Sequence, residues 1–227
     1  MGIAEIEAQV VACRACPRLV DWREAAAASP PARFRGQTYW ARPVPGWGDL
    51  DARVLVVGLA PAANGGNRTG RMFTGDPSGD WLYRAMHAAG FASQPTSTAA
   101  DDGLTLTDCF VTAIVRCAPP DNKPTTEERD RCLPYLGAEL QALRSVRVVV
   151  ALGAFAWDGT LRALRGAGYD PGSPRPRFGH GARADVGHYR LLGSYHPSQR
   201  NTSTKLLTQQ ALEEVFRTAR SLSESLP

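Results

Sequence analysis

Four short apolar runs alternate with helical segments along most of the chain, and this alternation constrains the fold more than any other feature. The runs cover residues 53–58, 110–116, 146–152 and 190–195, and few of their positions are polar. Strands that are buried on both faces have this pattern. Because helices lie between the strands along the chain, we expect an α/β fold with a parallel sheet covered by helices on both faces.

The helical segments and the irregular stretches complete this outline. Apolar periodicity and candidate N-caps, Ser78 and Asp80 among them, indicate five helices. The helices lie near residues 4–13, 79–90, 125–144, 153–165 and 203–224. Residues 20–50 are predicted to form an irregular wrap, and residues 166–189 a long loop or a hairpin. We expect one domain over residues 1–227.

A glycine-rich loop, GLAPAANGGNRTGRMFTGD at residues 58–76, follows the first apolar run. Gly65 and Gly70 have the spacing of a phosphate loop, but Arg71 and Met72 stand where such a loop needs Lys and Ser or Thr. Glycines let backbone N–H groups approach a ligand closely. We therefore expect a ligand-binding loop that differs from the common nucleotide-binding loops.

Three segments are expected to meet at one edge of the sheet. They are the glycine-rich loop, residues 117–124 (CAPPDNKP) after the second run and residues 196–201 (HPSQRN) after the fourth. In parallel α/β sheets, ligands bind outside the carboxyl ends of the strands. The sequence therefore predicts one candidate site formed by these segments.

Four of the five cysteines form two groups that suit a metal centre. They are Cys13 and Cys16, and Cys117 and Cys132. The first two form a C-x2-C pair, and the last two are separated by fourteen residues. Four thiolates are typical ligands of zinc or of an iron–sulfur cluster, and their number does not distinguish the two. The alternative is a set of unrelated buried thiols, to which we assign Cys109. A bound metal would tie residues 1–50 to the rest of the protein.

Net charge and hydropathy bear on where the protein is found and on whether it could bind nucleic acid or a membrane. The net charge of +4 permits contact with nucleic acid without establishing it. The first ten residues lack the basic and apolar segments of a secretory signal, and the longest apolar stretch, residues 148–157, is too short to cross a bilayer. We therefore expect a cytoplasmic protein with no membrane partner.

The order of these motifs resembles the uracil-DNA glycosylase superfamily. A strand is followed by GLAPA, then by GRMFTGD, then by Cys117 with two prolines, and finally by Cys132 and HPS. The resemblance spans roughly residues 10–220 and is strongest to the iron–sulfur branch, in particular to family 5 (type b). It implies a three-layer α/β/α sandwich with a central four-stranded parallel sheet. It also implies a [4Fe–4S] cluster on the four cysteines of the two groups, which favours iron over zinc.

The resemblance further implies a DNA-repair glycosylase that flips uracil out of DNA and hydrolyses its N-glycosidic bond. Phe73 is placed like the family's aromatic residue that stacks on the flipped base, and His196 like the histidine that donates a hydrogen bond to the departing base. Gly58, Ala60 and Ala62 are small and let the backbone approach the base edge. The implied partner is uracil-containing DNA in the nucleoid, bound by a monomer.

The first motif departs from the superfamily pattern. Leu59 and Ala60 occupy places where most members carry a polar residue that positions the attacking water. Asp76 is the best substitute, because a carboxylate orients water and offsets positive charge on the sugar. The alternative for Asp76 is a turn or the start of the next helix. Asn122 and Asn64 are further polar candidates.

A second departure concerns base recognition. Ala113 stands where iron–sulfur relatives often have an Asn that contacts the uracil edge. When a wrong base binds, a buried amide at this position is left without its hydrogen-bond partner, and this penalty disfavours the wrong base. A site without the amide lacks the penalty and discriminates less among bases. We therefore expect activity on uracil and on other deaminated bases such as hypoxanthine.

The loop that begins at His196 is predicted to press into the duplex. The residues that reach phosphates or fill the space left by the base are Ser198, Gln199, Arg200 and Asn201. Arg68 and Arg71 are further candidates for phosphate contact, with solvated loop arginines as the alternative.

Two other functions stay open. One is a superfamily member that binds uracil-containing DNA without catalysis or traps it covalently, although the trapping relatives' basic insertion and first-motif acid are absent from this sequence. The other is a nucleotide-binding α/β protein with a structural zinc, which would need a phosphate-loop lysine or an acidic metal site.

Overall fold

A six-stranded sheet lies at the centre of the protein, of which the computed structural model describes residues 1–225. The strands are β1 Trp47–Gly48, β2 Val54–Gly58, β3 Cys109–Ala113, β4 Val148–Leu152, β5 Arg183–Val186 and β6 Tyr189–Ser194. Their order across the sheet is β1-β3-β2-β4-β6-β5. The four inner strands are parallel, which confirms that prediction, and the two edge strands are antiparallel to their neighbours.

Eight α-helices lie within the described residues. They are α1 Ile3–Ala12, α2 Pro17–Ala28, α3 Gly66–Thr69, α4 Pro77–Ala88, α5 Thr126–Ala142, α6 Ala154–Gly166, α7 Gln199–Ser203 and α8 Gln209–Glu224. The predictions for α1, α4, α5 and α6 are confirmed, with ends that differ by two residues or fewer. The N-cap of α4 is Asp76 rather than Ser78 or Asp80, and Pro77 occupies the first helical position, where its missing N–H costs nothing.

Different helices cover the two faces of the sheet, which gives the expected three α/β/α layers. Val54 and Val56 of β2 lie in one buried cluster with residues of α4 and α8. Leu55 and Val57 lie in a second cluster with residues of α5 and α6. Successive side chains of a strand point to opposite faces, so a continuous apolar run is what a doubly covered strand requires.

The N-terminal segment is more helical than predicted. Residues 20–28 are not irregular, because they belong to α2. Pro17 starts this helix, and the run of alanines at residues 25–28 favours its continuation. Arg18 forms an ion pair of 2.8 Å with Glu128 of α5, which joins this segment to the rest of the structure. A single domain over the whole chain stays a prediction, and residues 226–227 lie outside the described part.

The C-terminal third agrees with the prediction at one place and differs at another. A long loop or a hairpin was predicted for residues 166–189, and the hairpin is confirmed at the end of this stretch, where β5 pairs with β6 across a turn at Gly187. The last helix begins at Gln209 rather than near residue 203, because Lys205 has a positive φ of 58° that interrupts helical geometry. A bilayer crossing needs about 20 largely apolar residues in one helix, and none of the eight helices meets this requirement.

Candidate active site

A cavity of about 410 Å³ opens where the glycine-rich loop, the turn after β3 and the loop after β6 meet. Of the residues that the sequence singled out, those lining it are Ala60, Ala62, Phe73, Asp76, Asn122, His196, Ser198 and Gln199. Its volume is within the usual range of small-ligand sites. The structure therefore brings the three predicted segments together at one hollow.

Phe73 lies in this cavity with its ring against the end of β2. The ring fills the space beside Gly58, since a Cβ atom at that glycine would lie 2.6 Å from Cζ of Phe73. The centroid of the Phe73 ring is 5.9 Å from that of the His196 ring, with 34° between the planes. Because Gly58 has no side chain, the Phe73 ring can pack against it. The sequence predicts instead that this glycine lets the base edge approach the backbone.

The backbone of Phe73 is strained and held from two sides. Its φ is 53°, a value that residues other than glycine rarely adopt. The Tyr83 hydroxyl donates a hydrogen bond of 2.9 Å to the carbonyl of Met72. The carbonyl of Phe73 packs so closely on Gly79 that a Cβ atom there would overlap it. Strain of this kind persists only where the surroundings impose it, and it clusters at functional sites.

Asp76 uses one carboxylate oxygen to cap α4. Oδ1 accepts hydrogen bonds from the backbone N–H groups of Ser78, at 2.9 Å, and Gly79, at 3.2 Å. Oδ2 makes no hydrogen bond within residues 1–225 and lies against Gly65, where a Cβ atom would collide with it. Burial raises the pKa of Asp76, and the two backbone N–H groups oppose that rise. The carboxylate is therefore both a helix cap and a cavity group with one oxygen to spare.

His196 follows β6 and presents its ring to the cavity. Burial lowers the pKa of the imidazole to about 4, so the ring is neutral at neutral pH. Neither ring nitrogen has a hydrogen-bond partner in the described part of the chain. The side-chain amide of Asn201 donates to the carbonyl of His196 at 2.9 Å. That amide, which we had expected to reach DNA, therefore positions the histidine loop.

The other two polar candidates, Asn122 and Asn64, differ in their access to the cavity. Asn122 is exposed on a turn with a φ of 55° and lines the cavity. The side-chain oxygen of Asn64 accepts a hydrogen bond of 2.9 Å from the Tyr39 hydroxyl, and Asn64 lines an adjoining groove rather than the cavity. Ala113 is buried at the end of β3 beside Gly58 and is not among the lining residues. Asn122 is therefore better placed than Asn64 to reach a ligand in the cavity.

Arg71 is buried and fully paired, so the prediction that it contacts phosphate is wrong. Its guanidinium forms an ion pair of 2.8 Å with Asp102 and hydrogen bonds with Ser97, Thr74 and the carbonyl of Ala100. These bonds tie the glycine-rich loop to the segment before β3. The positive charge of Arg71 is paired with Asp102 inside the protein and is not available to a ligand.

The remaining predicted DNA contacts lie on the rim. Arg200 and Gln199 are exposed on α7, and Ser198 caps that helix by accepting from the backbone N–H of Asn201. Arg68 is partly buried, donates to the carbonyl of Gly75 at 3.1 Å, and lines the adjoining groove. Their contact with phosphate stays a prediction.

The four cysteines of the two predicted groups line one small, separate cavity. Cys13 ends α1, Cys16 precedes α2, and Cys132 lies in α5. The buried guanidinium of Arg23 donates a hydrogen bond of 3.0 Å to Sγ of Cys117, and its Nε has no partner among the described residues. The fifth cysteine, Cys109, is fully buried in β3 and belongs to the core, as expected.

The donor set consists of four thiols around one cavity, which suits zinc or an iron–sulfur cluster. Within residues 1–225, no three His, Cys, Asp or Glu side chains are arranged to hold one metal ion. Hydrogen bonds to the sulfurs tune iron–sulfur clusters, and Arg23 supplies one.

Comparison with known proteins places the chain in a family. The model of the uracil DNA glycosylase superfamily matches residues 45–220. A type-5 uracil-DNA glycosylase of Mycobacterium tuberculosis is 53% identical over 224 residues, which cover 98% of this chain and 82% of that protein. A type-5 uracil-DNA glycosylase of Thermus thermophilus is 49% identical over 217 residues, covering 94% and 95%. A type-4 uracil-DNA glycosylase of Pyrobaculum aerophilum is 30% identical over 161 residues, covering 70% and 74%. This chain belongs to the uracil-DNA glycosylase superfamily.

Proposed function

We propose that the chain is a DNA-repair enzyme that flips uracil out of DNA and hydrolyses its N-glycosidic bond. The observation that carries this proposal is the shared cavity of Phe73, Asp76 and His196. Each of these side chains has a chemistry that the reaction needs, and each comes from a segment that the sheet brings to the same edge. One chain supplies all three, so the site needs no second subunit, and we propose a monomer that acts on DNA in the nucleoid.

Base capture rests on Phe73. Extruding a base costs a few kcal/mol of lost stacking and pairing. Stacking on an aromatic ring contributes about 1–3 kcal/mol per base, which offsets much of this cost. The ring is fixed against Gly58 and needs no rearrangement to receive the base. The flat, preformed surface therefore favours the flipped state.

Bond cleavage rests on Asp76 and His196. The glycosidic bond breaks with its electron pair moving to the base, so the sugar gains positive charge and the base gains negative charge. Neutral His196 donates an N–H hydrogen bond to the base as that charge develops. The spare oxygen of Asp76 orients the water that attacks C1′ and offsets the charge on the sugar. Asn122 lines the same cavity and helps to hold the water or the base.

The range of bases is broader than uracil. Leu59, Ala60, Pro61 and Ala62 form an apolar stretch of the cavity wall, and Ala113 of β3 carries no amide that could contact the base edge. A site that lacks this strand amide penalises other bases less. We therefore propose that hypoxanthine and other deaminated bases are excised as well.

A [4Fe–4S] cluster on Cys13, Cys16, Cys117 and Cys132 completes the proposal. Such a cluster would supply a structural link between the N-terminal helices and the segment after β3. Arg23, held at Cys117, connects that link to the glycine-rich loop, because the Asn67 side-chain amide donates to the Arg23 carbonyl at 3.1 Å. A cluster held by these cysteines would thus support the glycine-rich loop through Arg23.

Side-by-side incubation with uracil- and hypoxanthine-containing oligonucleotides tests the function and the base range. Alkali then cleaves the strand wherever a base has been lost. We expect cleavage at both bases, faster at uracil. Cleavage at uracil alone would overturn the broad base range, and cleavage at neither would overturn the function. Retention of the uracil strand as a covalent adduct would favour a trapping protein instead.

A further inference from the structure

A second groove, of about 630 Å³, opens beside the active-site cavity. The two hollows share Ala62, Asp76, Pro77 and Asn122, so they form one continuous cleft. We call the second hollow the side groove. It leads from Asp76 towards the N-terminal helices, and nothing in the proposed reaction accounts for it.

The N-terminal wall of the side groove combines aromatic rings with arginines. The guanidinium carbons of Arg33 and Arg68 lie 4.7 and 4.4 Å from the centroid of the Phe34 ring. Trp22 lines the same wall and is 39% exposed, which is high for so large an apolar side chain. Arg33 is exposed and has no ion-pair partner among the described residues. Aromatic faces that stack bases and arginines that bind the backbone are the features of single-strand nucleic-acid sites.

The groove also has acidic lining residues. Asp80 and Asp121 contribute carboxylates to it, and they belong to other segments than Arg33 and Arg68 do. A phosphate is repelled there and is attracted to Arg33 and Arg68, so the charge distribution orients a nucleotide within the groove. A nucleotide bound there would place its phosphate near the arginines and leave Trp22 to stack on its base.

We propose that the side groove holds an unpaired nucleotide next to the flipped one on the same DNA strand. This inference rests on the proposed function and adds to it a second base-binding subsite. Its occupant is a nucleotide because the groove is continuous with the cavity that takes the damaged base. Substrates whose flanking nucleotide is free to leave the stack are therefore bound more tightly.

Binding of single-stranded oligonucleotides tests the proposal. Each carries 2′-fluoro-2′-deoxyuridine, whose fluorine disfavours positive charge on the sugar and so prevents cleavage. A series omits one base at a time on either side of the uracil. The variants are Trp22→Leu, which keeps an apolar side chain without a stacking face, and Arg33→Ala. Arg35→Ala is the matched control, because Arg35 is exposed on the same turn but does not line the groove.

We expect omission of one flanking base to weaken binding to the wild-type protein about fivefold or more. The same omission has less than a twofold effect in Trp22→Leu. Arg33→Ala weakens binding and lowers the slope of log affinity against log salt by about 0.7, whereas Arg35→Ala does not. Two results would overturn the proposal that the side groove holds a nucleotide. One is that Arg33→Ala and Arg35→Ala change binding equally, and the other is that the missing base weakens binding to Trp22→Leu as much as to the wild-type protein. Uracil excision by the wild-type protein under the same conditions separates this failure from a failure of the proposed function.

Discussion

The ring of Phe73 occupies the space that a side chain at Gly58 would fill. A Cβ atom at Gly58 would lie 2.6 Å from Cζ and 2.7 Å from Cε2 of that ring. The two residues come from different segments, the end of β2 and the loop before α4. The position of the stacking surface thus depends on a glycine fifteen residues earlier in the chain.

Gly58→Ala is expected to displace the ring and to lower kcat/KM for uracil excision about tenfold or more, because a displaced ring loses much of the roughly 1–3 kcal/mol of base stacking. The matched control is Gly137→Ala in α5, where a Cβ atom has no neighbour within 4 Å. That change should leave activity unaltered and raise stability by up to about 1 kcal/mol. Wild-type kinetics in Gly58→Ala would show that the ring is not the capture surface.

Asp76→Asn is expected to lower kcat about 100-fold while changing DNA affinity less than twofold. Asn caps a helix about as well as Asp, so α4 and the melting temperature should be preserved. Single-turnover rates and binding to the uncleavable oligonucleotide measure the two effects separately. Asp51→Asn, an exposed carboxylate that lines neither the cavity nor the side groove, is the control. An unchanged rate in Asp76→Asn removes Asp76 from the mechanism.

His196 makes stability depend on pH in a defined window. Burial lowers its pKa from 6.5 to about 4 in the folded protein. Between these values the unfolded chain binds the extra proton, so the free energy of unfolding falls as the pH drops from about 6.5 towards 4. Urea unfolding at pH 7 and pH 5 should therefore show a smaller loss of stability in His196→Asn than in the wild-type protein. The exposed His87→Asn serves as control, and an equal loss in all three proteins would contradict the burial of the ring.

Cys117→Ala is expected to remove iron and the brown colour from the purified protein. Cys109→Ala, a change in the buried core of β3, should leave both intact. Iron and sulfide content with visible absorbance are the measurements. A colourless, zinc-containing wild-type protein would contradict the cluster.

The sheet and most helices could be predicted because their signals are local. An apolar run such as residues 148–152 has few structural alternatives when helical segments flank it. The edge strands were harder to predict: β1 was missed, and β5 was foreseen only as part of a possible hairpin. β1 is two residues long, and β5 has an exposed, polar pattern that gains its pairing only from β6. Residues 20–28 of α2 were predicted to be irregular because prolines and tryptophans follow and interrupt the alanines in residues 20–50. Pro17 was nevertheless a signal for the start of a helix.

The sequence predicted most of the residues that line the site, but it predicted their roles less well. The segments that carry Phe73, Asp76 and His196 were predicted from their places after the strands. The choice of Phe73 and His196 within them came from the family resemblance, and Asp76 was chosen because the first motif lacks a polar residue. The burial of Arg71 was not predicted, because its partner Asp102 is thirty-one residues away and no local pattern joins them. Gly79 and Tyr83 were also missed as supports of the Phe73 backbone, since contacts across a loop leave no periodic signal. The side groove arises from the packing of α2 and the turn after it, which the sequence presented as irregular.

Release of the free base tests the central claim most directly. The wild-type protein is incubated with an excess of a uracil-containing oligonucleotide, and free uracil and abasic strand are quantified together. The account predicts equal amounts of both, accumulating beyond one equivalent of enzyme, and a rate about 100-fold lower for Asp76→Asn. No free uracil, or uracil that stops at one equivalent with the strand held on the protein, would contradict it.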